Sequence, residues 1–133
     1  MVNLIVDTSV VIAVVTNEPA KDEIISVTRG ADLIAPSSLV WELGNAFSGM
    51  FKRARLSVEQ AVEAFLAYSG IPIRSVDVDI PNALALSHTL NIYAYDAYFL
   101  VCAQKYNSPL ITLDRKLNVA AAQANVETIE VAQ

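Results

Sequence analysis

The chain has 133 residues, enough for one compact domain over residues 1–133 and not comfortably for two. It is 54% hydrophobic and only 17% charged, which fits a well-buried globular core. Its net charge of −5 argues against broad, high-affinity nucleic-acid binding, which leaves a basic footprint, but leaves room for a local basic patch or a metal-holding cluster of acids.

The first predicted element is a strand over residues 3–7, where Leu4, Ile5 and Val6 run without polar alternation into Asp7. Such a run suits a strand buried on both faces in the middle of a parallel sheet. Thr8 or Ser9 can cap a short apolar helix ending at Val15, and residues 16–19 read as a break. A second helix runs from Ala20 to about Arg29 and is closed by Gly30. Residues 32–35 form a short strand stopped by Pro36. Ser37 or Ser38 caps a third helix to about Arg53, whose Leu39, Leu43, Ala46, Phe47 and Met50 recur at helical spacing.

Ser57 and Gln60 have the spacing of a capping box and open a fourth helix that runs to Gly70. Residues 72–76 are a third strand. Asp79, with Pro81 in the first turn, caps a helix running to about Asn91. Tyr95 and Asp96 open a helix that is apolar nearly all round and therefore buried, and Asn107, Ser108 and Pro109 end it. Residues 110–114 form a fourth strand ending in Asp114. A small alanine-rich helix runs from Arg115 to about Ala124, and residues 126–131 alternate as an edge strand. Strands alternating with helices predict an α/β fold, a parallel sheet with helices on both sides.

In open α/β sheets, sites form outside the carboxyl ends of the strands. Asp7 and Asp114 both fall at that edge, and a helix entering from it brings Asp96 there too. Glu42 is the one acid on the otherwise apolar third helix. Taken singly, the three aspartates read as helix caps and Glu42 as a solvent-facing residue. Asp77 and Asp79 also follow a strand, but Asp79 has an ordinary cap pattern, and neither is assigned chemistry. Together the four acids would repel, by roughly 4 kcal/mol for two charges about 4 Å apart at an effective dielectric near 20. Either some protonate or a cation neutralises them. All-oxygen ligation points to Mg2+ or Mn2+. One cysteine, Cys102, excludes an internal disulfide, and one histidine, His88, gives a zinc site or a Ser-His-Asp triad little to build on.

With these acids placed, the sequence resembles the PIN-domain family, and within it the VapC-type toxin ribonucleases. The matching residues are 4–9 (Leu-Ile-Val-Asp-Thr-Ser), Glu42, 95–98 (Tyr-Asp-Ala-Tyr) and 112–114 (Thr-Leu-Asp), in order along essentially the whole chain. The resemblance implies a three-layer α/β/α sandwich around a central parallel sheet. It implies that Asp7, Glu42, Asp96 and Asp114 form an acidic pocket for Mg2+ or Mn2+, and that Thr112 or Ser9 orients the carboxylates by hydrogen bonding. The implied activity is endonucleolytic hydrolysis of RNA by a metal-activated water. The implied partners are a cognate antitoxin covering the cleft and a second copy in a homodimer. Some branches carry a further acid just after the last one; here Leu117 and Asn118 are neutral, so a four-acid site is expected.

Lys52, Arg53 and Arg55, with Arg115 and Lys116, are candidates for a phosphate-contacting rim, against the plainer reading of solvated helix ends. Trp41 is expected to pack in the core or a dimer interface, against the alternative of stacking on a base; Tyr95 and Tyr98 are expected to pack in the core, Cys102 to pack as a small hydrophobe, and His88 to lie at the surface or partly buried on its helix. A signal peptide and a membrane span of about 18 apolar residues are both missing from the sequence, so a cytoplasmic protein is expected. Two other readings compete. One is a catalytically silent binding module of the same fold. The other is an aspartyl-phosphate enzyme or receiver, which the neutral Ser9 two residues after Asp7 disfavours.

Overall fold

A computed structural model describes residues 2–132. Among them, β1 (Asn3–Val6), α1 (Thr8–Val15), α2 (Lys21–Thr28), β2 (Asp32–Pro36), α3 (Leu39–Lys52) and α4 (Val58–Ser69) make up the first half. The second half holds β3 (Ile73–Val76), α5 (Ile80–Leu90), α6 (Ala94–Tyr106), β4 (Leu110–Ile111), α7 (Arg115–Gln123) and β5 (Thr128–Ile129). The strands pair in parallel throughout, in the order β3-β2-β1-β4-β5.

β1 is central, as its uninterrupted apolar run predicts: Leu4, Ile5 and Val6 are all buried. From β1 the chain first winds outward through β2 and β3, then returns to lay β4 on the other side. Right-handed crossovers running in opposite directions put their helices on opposite faces. α1 accordingly packs with α2, α3 and α4, while α6 packs across β1, β2 and β4 with α5 outside it. The result is the expected three-layer α/β/α arrangement. The reversal between β1 and β4 opens a crevice at their carboxyl ends.

The helices follow their sequence signals closely. α6 buries Ala97, Phe99, Leu100, Val101, Cys102 and Ala103, so it has no continuous polar face. α5 and α6 end at Asn91 and Asn107, both left-handed, a conformation asparagine tolerates. Two strands are shorter than their sequence predicts. β5 keeps only Thr128 and Ile129 in the ladder. β4 stops at Ile111, because side chains rather than a neighbouring strand take the next backbone N–H groups: Leu113 N donates to Ser9 Oγ at 2.9 Å and Asp114 N to Thr112 Oγ1 at 3.0 Å.

The capping box at α4 is present in both directions: Gln60 N donates to Ser57 Oγ at 3.0 Å and Ser57 N to Gln60 Oε1 at 2.9 Å. Ser57→Ala removes one half of this pair and is expected to cost about 1 kcal/mol in urea unfolding; no change in the midpoint would show that the box adds nothing to the folded state.

Candidate functional site

Asp7 stands one residue past β1 and is the N-cap of α1. Only 4% of its surface is exposed, and it and Thr112 are the buried polar residues among those described. Its Oδ1 accepts from Val10 N at 3.1 Å and from Ser9 Oγ at 2.7 Å, and its Oδ2 accepts from Thr112 Oγ1. A carboxylate offers about four acceptor positions, so one on Oδ2 remains open. Capping and site chemistry therefore use different oxygens of the same group.

Ser9 and Thr112 each spend their one proton on Asp7 and each accept a backbone N–H from the turn after β4. Their two oxygens lie 3.4 Å apart with no proton left for a bond between them. This arrangement fixes the turn that carries Asp114. Asp114 caps α7, its Oδ1 accepting from Lys116 N at 2.8 Å and Leu117 N at 3.4 Å. Asp96 lies in the first turn of α6, and Glu42 in the first turn of α3. Ser38 precedes α3 but makes no cap bond to its backbone; its hydroxyl donates instead to Glu42 Oε2 at 3.1 Å.

The four acids sense one another. Burial pushes the Asp7 carboxyl up to about 6 against the pull of its three donors, and the charge of Asp114 adds to the rise. Burial pushes Glu42 up to about 7; Ser38 opposes this, and the charges of Asp96 and Asp7 reinforce it. Asp96 is raised by burial and by Asp114, with Lys116 offsetting part of the rise. Asp114 acts on Asp7 and Asp96, and Asp7 and Asp96 act on Glu42.

No three His, Cys, Asp or Glu side chains among the described residues stand close enough to make a ready-formed metal cage. The chemistry of the donor set still suits a hard divalent cation. It is all oxygen and mutually repelling, with Asp7 and Glu42 held by hydroxyls. Mg2+ keeps several of its waters and needs only one or two direct carboxylates, so a loose acidic cluster suits it better than a closed cage.

The remaining candidates separate. Of the candidate rim residues, Lys116 is one whose charge acts on an acid of the set, Asp96. Lys52 ends α3, ten residues beyond Glu42 and so roughly 15 Å from it along the helix. Asp79 caps α5 through Asn82 N at 3.2 Å, as expected. Trp41 does not pack in the core: it is 74% exposed, because it lies off the buried Leu39, Leu43, Phe47 and Met50 face of α3. Tyr95 is also half exposed and meets Tyr98 edge-on, with ring centroids 5.8 Å apart. Cys102 is buried and His88 exposed, as expected. Ser38 is the contributor that sequence reasoning missed. Its signal was the four-residue spacing to Glu42, which puts both on one helix face.

No curated protein matches the chain in sequence. Among solved structures, the fold is similar to PAE2754 from Pyrobaculum aerophilum, with a TM-score of 0.72 and 21% identity over 90% of this chain and 79% of that one. It is similar to VapBC2 from Rickettsia felis bound to a DNA fragment from their promoter, with a TM-score of 0.68 and 13% identity over 98% and 99% of the two chains. It is also similar to VapC20 from Mycobacterium tuberculosis, a Sarcin-Ricin loop cleaving toxin, with a TM-score of 0.63 and 15% identity over 88% and 94%. These likenesses are of fold. The PIN domain family model matches residues 4–123, from the first buried residue of β1 to the end of α7. On that match, over a sheet whose central strand delivers Asp7 to the shared edge, the chain belongs to the PIN-domain family.

Proposed function

We propose that this chain, acting as one domain, is a metal-dependent endoribonuclease, the toxin of a type II toxin–antitoxin pair working in the cytoplasm. The observation that carries the reading is that Asp7, Glu42 and Asp96 are each pushed towards the protonated form by burial and by the charge of another acid of the set. The names of the similar folds, a VapBC pair and a VapC toxin, support an antitoxin partner and RNA as substrate. A homodimer remains a family expectation.

In this reading the four acids hold Mg2+ or Mn2+. When bound, the cation neutralises the cleft, lowers the pKa of a water and stabilises the charge that develops on the phosphate. The chain's own residues supply the geometry. Ser9 and Thr112 lock Asp7 with one acceptor position of Oδ2 open. Ser38 restrains Glu42. Lys116, whose charge acts on Asp96, is placed to meet a phosphate oxygen at the rim.

The direct test is RNA cleavage by the purified chain with Mg2+ or Mn2+, with EDTA, and with Asp96→Asn prepared identically. Cleavage is expected only with the metal, and to fall by roughly 100-fold or more in the variant, equivalent to about 3 kcal/mol. Equal cleavage by both proteins would trace the activity to a contaminant. Absence of both cleavage and Mn2+ binding would leave a binding module of the same fold.

A second test uses pH. Asp7 and Glu42 keep their protons in the folded chain up to about 6 and about 7, while in the unfolded chain they lose them near 3.8 and 4.5. The folded state then binds more protons across this window, so stability falls as pH rises through it. For Asp7 the shift corresponds to roughly 3 kcal/mol. Thermal melts in EDTA should therefore drop from about pH 4 to about pH 7, and saturating Mg2+ or Mn2+ should flatten the slope by competing with the protons. Stability that rises with pH across this window in EDTA would contradict the shifts.

A further inference from the structure

Asp7 is gripped by two hydroxyls, Ser9 and Thr112, whereas Glu42 has one, Ser38. A second hydroxyl lies at hand. Thr8 follows Asp7 as the first residue of α1, and its Oγ1 is the one fully buried side-chain polar atom without a hydrogen-bond partner among the described residues. Native structures leave few such groups, because a buried hydroxyl that gives up water without a replacement is costly.

The position of Thr8 explains why it lacks a local outlet. Thr16 and Thr28, near the ends of their helices, donate to the carbonyls of Ile12 and Ile24 one turn back. At the first residue of α1 there is no preceding helical turn to offer a carbonyl. α1 packs against α3, whose first turn carries Glu42, and Thr8 joins Ser38 in opposing the upward push on the Glu42 carboxyl.

We propose that Thr8 is a positioning residue for Glu42: its buried hydroxyl donates to the Glu42 carboxylate, so that Thr8 and Ser38 together hold this acid as Ser9 and Thr112 hold Asp7. A glutamate has three rotatable bonds, and two donors from different segments leave it one orientation towards Asp7 and Asp96. The consequence for cation binding rests on the reading of the cleft given above; the Thr8–Glu42 bond does not.

The experiment is a double-mutant cycle with a metal titration. Thermal midpoints are measured in EDTA at pH 8 for the wild type, Thr8→Val, Thr8→Ser, Glu42→Ala and the two double variants. Thr8→Val is expected to lower the midpoint by roughly 2–5 °C in the wild-type background and not in the Glu42→Ala background, with Thr8→Ser retaining most of the coupling. A midpoint that rises equally in both backgrounds means that valine has only removed an orphaned hydroxyl, and overturns the proposal. Calorimetric titration with Mn2+ is expected to give about tenfold weaker binding for Thr8→Val and binding within about twofold of wild type for Thr8→Ser. Unchanged Mn2+ affinity in Thr8→Val overturns the positioning role. A wild type that binds no Mn2+ overturns the metal reading of the cleft, while the thermal cycle still decides whether Thr8 and Glu42 are bonded.

Discussion

A carboxylate sealed at the end of the central strand is the constraint on which the functional edge depends. Asp7 is nearly inaccessible to water, and burying an ionisable group there is tolerable only with its hydrogen bonds made. The donors come from three places: the first turn of α1, Ser9 beside it, and Thr112 just past β4. The two hydroxyls then act as acceptors for Leu113 N and Asp114 N. The position of Asp114 is in this way a consequence of how Asp7 is satisfied. Thr112 links the two strands on either side of the topological reversal, so loss of its hydroxyl would disturb both acids at once.

Burial and repulsion act in the same direction at this edge. Desolvation is the largest cause of the raised pKa values of Asp7, Glu42 and Asp96, and the neighbouring acids add to it. Hydroxyl and amide donors oppose the shift without cancelling it. A cleft built like this prefers a positive charge, either as bound protons or as a cation. Its openness differs from one acid to the next. Asp7 is sealed apart from one acceptor position, Glu42 and Asp96 are partly covered, and Asp114 faces solvent.

Much of this was legible in the sequence, for reasons that differ by residue. An uninterrupted apolar run ending in one carboxylate placed both β1 and Asp7. Glu42 stood out as the one acid on an apolar helix face. The strand ending in Asp114 was read too long because Thr112, Leu113 and Asp114 look extended. What ends the ladder is a pair of side-chain acceptors, one of them Ser9, more than a hundred residues away. Local pattern carries no trace of such a contact. Ser38 was legible as a helix start, yet its hydroxyl turns to Glu42 rather than to the backbone. The aromatic character of Trp41 suits the core or a dimer interface, and its angular position on α3 rules out the core.

The plain reading of each acid and its functional reading turn out to share one physical origin. Asp7 and Asp114 are N-caps, and Glu42 and Asp96 lie in first turns, so all four acids stand at helix N-termini. In a parallel sheet, a helix that follows a strand begins at the carboxyl edge, and one that leads into a strand, as α6 leads into β4, runs down from it. Unpaired N–H groups and the positive ends of the helix dipoles therefore collect at that edge, each favouring a negative charge by roughly 0.3–1 kcal/mol. This offsets part of the repulsion that neighbouring acids of this set exert on one another. The same geometry would favour the phosphates of a nucleic-acid chain once the acids are neutralised.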